Sequence, residues 1–174
     1  MLRVLLLRHA KSDRPAGVAD LDRPLNPRGR RTAPLMASYL VSENLRPDHV
    51  AVSPARRTQE TWAPVHAALG GPDATLVPDI YEAPDAALLA VIRATPADAR
   101  CLLMVGHNPG FQDVALHLVG SGPRAARGRL AAGFPTGALA VIDFDVAAWS
   151  EISPERGTLE RFVVPRDLDA EEAA

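Results

Sequence analysis

Three short segments of this chain carry side chains that a hydrophobic core cannot use. Arg8-His9 ends the aliphatic run LRVLLL, Ser53-Pro54-Ala55-Arg56-Arg57 follows HVAV, and Gly106-His107-Asn108-Pro109-Gly110 follows CLLMV. Arginines and histidines gathered at the ends of apolar runs suit one chemistry in particular. Guanidinium forks match the oxygens of a tetrahedral dianion such as phosphate better than an ammonium does. If arginines draw charge from the phosphoryl oxygens, a neutral histidine can attack phosphorus and become a phosphohistidine. A second histidine, held cationic by the bound anion, can donate to a phosphoryl oxygen and stabilise the same charge. His9 and His107 are suited to these two parts.

The elements that must bring these segments together follow from the hydrophobic pattern. Short aliphatic runs alternate with helical periods: LRVLLL, a helix within Arg28 to Glu43, HVAV, a helix from about Ala55 to Leu69, a helix near Pro84 to Arg93, CLLMV, and a helix from about Pro109 to Val119. Strands buried on both faces and mostly parallel read this way, so the class is α/β. GALAVIDF and LERFVV close the chain as a pair of strands in an antiparallel arrangement. In open α/β sheets ligands bind beyond the carboxyl ends of the strands, where the three charged segments fall. Ser53-Pro54 and Asn108-Pro109 read as helix starts, Ser or Asn at the cap and Pro at the first helical position. Two helix N-termini would then add free N–H groups and partial positive charge to the same edge. Ser121 to Thr136, SGPRAARGRLAAGFPT, has no apolar period and reads as a long surface loop. Its Arg124, Arg127 and Arg129 read as a solvated loop face, or as a basic rim that steers an acidic protein surface. The acidic stretch from Asp167 to Ala174 reads as a frayed tail after a single domain spanning residues 1–166.

Composition excludes several other classes. With 174 residues, 47% hydrophobic and 23% charged, the chain has the size and make-up of one globular domain. A formal charge of −2 gives no bulk attraction to nucleic acid or anionic membrane, so anion binding must be local. The N-terminal apolar run is too short for a membrane span and holds Arg3, which leads to the expectation of a cytoplasmic protein. Cys101 stands alone within CLLMV and reads as a buried core thiol. His49, His66 and His117 show no partner spacing, and no HExxH, CxxC or acidic calcium loop occurs, so no metal site and no cofactor is expected. Lys11 is the chain's only lysine and lies beside Arg8-His9.

The three segments together, Arg8-His9-Ala10-Lys11-Ser12, Ser53-Pro54-Ala55-Arg56-Arg57-Thr58-Gln59-Glu60-Thr61 and Gly106-His107-Asn108-Pro109-Gly110, resemble the histidine phosphatase superfamily, most of all its SixA-type phosphohistidine phosphatases. Leu25-Asn26-Pro27-Arg28-Gly29 is similar to the family's helix-opening LTxxG segment, and the likeness runs from Leu2 to about Phe144. The resemblance implies a phosphoglycerate-mutase-like α/β/α sandwich of three layers around a mostly parallel sheet. It implies His9 as nucleophile, Arg8 and Arg57 as phosphoryl ligands, and His107 completing the pocket. Arg57 rather than Arg56 matches the family arginine, four residues beyond the serine of the SPAxR pattern. Asn108 contributes a side-chain contact or simply caps its helix.

Departures from the family pattern narrow the activity. Ala10 replaces the glycine of the RHG pattern common in mutases, as it does in SixA-type members, and Pro15 stands where mutases carry a phosphate-contacting asparagine. Glu60 replaces a glutamine, a change with no evident chemical consequence. Many members supply a general acid from the segment where this chain has Asp79-Ile80-Tyr81-Glu82, which makes Glu82 the candidate; its other reading is an exposed carboxylate ahead of a helix. The implied function is a metal-independent phosphatase working through phosphorylated His9. Its substrate would be a phosphohistidine on a protein such as a histidine phosphotransfer domain, admitted to a site without large cap insertions. Small-molecule phosphomonoesterase, mutase, and a non-catalytic phospho-binding adaptor are the competing readings. The chain is expected to act as a monomer.

Overall fold

The computed structural model describes the backbone of residues 1–173 and the side chains of residues 1–169. Seven strands form one sheet: β1 (Leu2–Arg8), β2 (His49–Val52), β3 (Thr75–Leu76), β4 (Cys101–Gly106), β5 (Val119–Ser121), β6 (Leu139–Phe144) and β7 (Gly157–Val163), in the order β3-β2-β4-β1-β6-β7-β5. Four neighbouring pairs are parallel, while β1–β6 and β6–β7 are antiparallel. The mostly parallel sheet and the late antiparallel pair are therefore both present.

Among the described residues six α-helices cover the sheet: α1 (Pro27–Ser42), α2 (Arg56–Leu69), α3 (Asp85–Arg93), α4 (Gly110–Leu118), α5 (Arg124–Ala132) and α6 (Pro165–Ala173). The two-residue period of β1 sorts its side chains between two cores. Leu5 and Leu7 join Met36, Leu40, Trp62, Val65 and Leu168 on the side of α1, α2 and α6. Val4 and Leu6 join Leu88, Ile92, Phe111, Val114, Leu118 and Leu130 on the side of α3, α4 and α5. This is the three-layer α/β/α sandwich that the resemblance implies. Arg3 survives inside a core strand because its register partner on β6 is Asp143, whose carboxylate accepts from its guanidinium at 2.6 Å.

Three expectations from the sequence need correction. Residues 121–136 are not a long loop, since they end β5 and form α5. The local pattern hides that helix: Gly128 interrupts it and only Leu130 is buried, whereas Arg129, which lies over the Phe162 ring and donates to the Phe162 carbonyl and to Asp167, ties it to β7 and α6. The tail expected from Asp167 is part of α6, which buries Leu168 and lets the Asp167 carboxylate accept from the Val164 amide; Ala174 and the side chains from Ala170 lie outside the described residues. Cys101 is half-buried at the start of β4 rather than in the core, and burial pushes its thiol up to about 12, which makes it a poor nucleophile at neutral pH.

The N-terminal end of α1 abuts the chain just beyond β1. Asn26 caps the helix by accepting from the Gly29 amide at 2.8 Å, and the Asn26 amide donates to the Lys11 carbonyl at 3.0 Å. A Cβ at Gly29 would lie 2.1 Å from that carbonyl oxygen, so only glycine lets the helix end press against the segment after His9.

Candidate active site

Arg8 ends β1, Val52 ends β2 and Gly106 ends β4, and these neighbouring parallel strands point their carboxyl ends the same way. The residues after them meet in one cleft of about 280 Å³, lined by Arg8, His9, Arg57, His107, Asn108 and Glu82 together with Lys11, Ser12, Arg14, Asp20, Arg23 and Thr136. Every candidate site residue read from the sequence therefore lines the same cleft.

The backbone around His9 is locked from both sides: the His9 amide donates to the Gly106 carbonyl, and the Gly137 amide donates to the His9 carbonyl at 2.9 Å. The His9 ring is 94% buried, and its Nδ1 lies 2.7 Å from the Ala10 carbonyl. A carbonyl can only accept, so Nδ1 carries the proton and Nε2 keeps its lone pair. The next amide, Ala10, donates to Thr61 Oγ1 at 2.9 Å, and Thr61 in turn donates to the Arg57 carbonyl one turn back on α2.

His107 lies with its ring 5.4 Å from that of His9. Arg57 Nη2 approaches its Nδ1 at 3.4 Å, and because a guanidinium only donates, the His107 proton sits on Nε2 and goes to Ser53 Oγ at 2.7 Å. Ser53 is thus an orienting partner for His107 and not the cap of α2, which starts at Arg56 after Ala55. Asn108 likewise precedes a helix that begins only at Gly110, yet its Oδ1 still caps by accepting from the Gln112 amide, and its Nδ2 donates to the Phe134 carbonyl. Both prolines, Pro54 and Pro109, lie outside the first helical turn they were expected to open.

The two arginines differ in how much of their donor capacity is committed. Arg8 Nη1 donates to the Phe134 carbonyl at 2.8 Å, while its buried Nε has no partner among the described residues. Arg57 is 95% buried and gives Nη1 to the Asp20 carbonyl at 2.7 Å and Nη2 to the Asp20 carboxylate at 3.1 Å. Arg56 points outward to Glu60 at 3.0 Å. Glu60 has a structural use after all, since its other oxygen accepts from the Leu25 amide at 2.8 Å.

Asp20 is the residue the sequence reading missed. It opens a one-turn 3₁₀ helix, Asp20–Asp22, and its carboxylate gathers Tyr81 Oη, Arg57 and Arg23, the last at 2.8 Å. The Tyr81 hydroxyl, followed by the arginines, holds this carboxyl well below the usual carboxylate range, and the same contact pushes the tyrosine up to about 12. The Tyr81 ring meets His107 edge-on at 5.5 Å. Arg23 is a neighbour in the chain, but the two partners that tie Asp20 to the cleft, Arg57 and Tyr81, lie 37 and 61 residues away, so no local signal marks it. Glu82 is exposed at the cleft mouth with a left-handed backbone, φ 53°.

Burial, reinforced by nearby positive charge, pushes His9 down to about 3 and His107 to about 4. Both rings are therefore neutral near pH 7, and a bound dianion is what would make His107 cationic. These shifts couple folding to pH. In the unfolded chain both imidazoles take up protons below about 6.5, whereas the folded ones wait until about 4 and about 3, so the unfolded state binds more protons in that window. Stability is expected to fall as pH drops from about 6.5 toward 4, by up to about 1.4 kcal/mol per pH unit for each ring. Denaturation midpoints at pH 7 and pH 5 check this: the loss should shrink in a His107→Gln variant, and an unchanged loss there goes against it.

Outside the cleft, His66 pairs with Asp73 and His117 with Asp85. Among the described residues no group of three or more His, Cys, Asp or Glu is disposed to hold a metal ion, and no helix is long and apolar enough to cross a membrane.

Comparison with known proteins agrees with this geometry. The family model described as "Histidine phosphatase superfamily (branch 1)" matches residues 4–84. An uncharacterized Mycobacterium tuberculosis protein is 36% identical over 162 residues, which span 92% of this chain and all of the relative. Two solved structures, each of a protein proposed to be the phosphohistidine phosphatase SixA, superpose closely. The one from Agrobacterium tumefaciens is 31% identical with a TM-score of 0.81, covering 94% of this chain and 98% of its own. The one from Nakamurella multipartitia is 29% identical with a TM-score of 0.82, covering 94% and 96%.

Proposed function

The chain belongs to the histidine phosphatase superfamily, and from that premise we propose that it hydrolyses phosphohistidine carried on a protein, with His9 as the nucleophile. The observation that carries this reading is the His9 tautomer: a ring whose Nδ1 proton is spent on the Ala10 carbonyl offers Nε2 to the cleft where two arginines converge.

In the first step Nε2 of His9 attacks phosphorus. The substrate P–N bond breaks, and its electron pair returns to the leaving imidazole nitrogen. Arg8 and Arg57 hold the non-bridging oxygens as charge spreads over them, and His107, protonated at Nδ1 once the dianion is bound, donates to one of them. The Nδ1–H of His9 stays on the Ala10 carbonyl and steadies the phosphorylated ring. In the second step water attacks phosphorus, the P–Nε2 bond breaks and its electron pair returns to neutral His9, while both protons of the water leave on the released inorganic phosphate. These protein groups balance the reaction by themselves, so turnover is expected to persist in a chelator.

Leaving-group chemistry separates the competing substrates. An imidazole protonated on its other nitrogen leaves as a neutral molecule and needs no acid, whereas an alkoxide needs a proton at once. Glu82 lines the same cleft as Arg8, His9, Arg57 and His107, and it is the carboxyl we assign to that donor role. Glu82→Gln should therefore lower hydrolysis of an alkyl phosphate about 10²-fold and change phosphohistidine hydrolysis by less than about 3-fold.

The test is phosphate release from a phosphohistidine-bearing phosphotransfer protein and from an aryl phosphate, in a chelator. Preferential clearance of the protein substrate supports the reading. Turnover of the aryl phosphate alone transfers it to a small-molecule phosphatase. Binding without any turnover would leave a phospho-binding adaptor, and phosphoryl transfer to an added glycerate a mutase.

A further inference from the structure

Lys11 and Arg14 stand out once the other cations of the cleft are accounted for. Five basic side chains line it, against the two carboxylates of Asp20 and Glu82. Arg8 donates to the Phe134 carbonyl, Arg57 is held by Asp20, and Arg23 donates to Asp20, to Ser12 Oγ at 2.5 Å and to the Asp13 carbonyl. Lys11 and Arg14 are both exposed, and neither side chain has an ion pair or hydrogen bond among the described residues. The nearest carboxylate in sequence, Asp13, accepts from the Arg14 backbone amide at 2.8 Å.

The backbone that carries the pair is anchored. The Lys11 carbonyl accepts from Asn26, the Asp13 amide donates to Pro24, and Ser12 bridges to Leu25. The chain therefore presents two unpaired cations on a fixed ledge beside His9, although its overall charge is −2. The arginines of α5 do not serve this purpose, since Arg124, Arg127 and Arg129 do not line the cleft.

We infer that Lys11 and Arg14 form a docking rim for a protein substrate, recognising acidic side chains that flank its phosphorylated residue. The inference rests on the proposed phosphohistidine hydrolysis and adds a recognition surface to it. A small phosphorylated molecule gains little from such a rim: its phosphoryl group is met inside by Arg8 and Arg57, and exposed charges further out are screened by water and salt. A protein surface covers the rim, aligns opposite charges with it and gains both encounter rate and register.

The experiment compares wild type with the K11E/R14E double variant on two substrates, a phosphohistidine-bearing phosphotransfer protein and phosphoimidazole. On the protein, kcat/KM should fall about 10- to 100-fold at low ionic strength, the loss narrowing as salt rises toward 0.5 M, and the loss on phosphoimidazole should be several-fold smaller than the loss on the protein. The neutral K11Q/R14Q variant should lie between. Equal losses on both substrates, or an unaffected protein substrate, would overturn the rim and leave the phosphohistidine reading standing. A wild-type enzyme inert toward both substrates would overturn that reading and the rim with it.

Discussion

Replacing His9 with alanine is expected to lower phosphohistidine turnover by about 10⁴-fold or more while the chain still folds. The expectation follows from the geometry of one ring. His9 is fixed by a backbone locked between β4 and the Gly137 amide, and its Nδ1 proton is committed to the Ala10 carbonyl. Among the described residues His107 is the other histidine in the cleft, but Arg57 donates toward its Nδ1 and Ser53 accepts from its Nε2, so it cannot easily take over the attack. Rapid quenching into alkali, where phosphohistidine survives, should trap a phosphorylated wild-type enzyme and none from His9→Ala. The variant should unfold cooperatively and keep binding inorganic phosphate through Arg8 and Arg57. A trapped phosphoenzyme in the variant would show that another side chain is the nucleophile.

The second large effect is expected at Arg57, where even lysine should cost about 10²- to 10³-fold in kcat/KM. Arg57 uses its planar fork in several directions at once, with Nη1 on the Asp20 carbonyl and Nη2 shared between the Asp20 carboxylate and His107. An ammonium has no second arm for this and is harder to desolvate at a position that is 95% buried. Asp20→Asn should act in the same direction but more weakly, about 10-fold, because the backbone carbonyl that holds Nη1 survives the change. The paired control is Arg56→Lys, which touches only the exposed contact with Glu60 and should leave activity within about 2-fold. A larger loss at Arg56 than at Arg57 would mean that the neighbouring arginine binds the phosphoryl group.

These two predictions concern residues already conspicuous in the chain, for a physical reason. A strand buried on both faces has no place for Arg8-His9, and the same holds for the charged groups after HVAV and CLLMV. Periodicity put α1 to α4 within about a residue of their observed bounds, because each has an apolar face packed on the sheet. The pattern failed at α5 and α6, where a single buried leucine in each leaves almost no stripe to read, and the helices are held by contacts with β7 and with each other through Arg129 and Asp167.

By itself, then, the sequence determined the α/β order of elements and which side chains must sit at the strand ends. It could do so because burial of strands and exposure of charge are local rules. Only the tertiary structure decided which tautomer His9 holds, which arginine is buried, and what surrounds them. Ser53 passes for a helix cap until His107 comes within 2.7 Å of it, and Asp20 looks like any loop carboxylate until Arg57, Arg23 and Tyr81 close on it. Hydrogen bonds between segments 37 to 61 residues apart leave no trace in either segment alone, since they depend on distance in space and not along the chain.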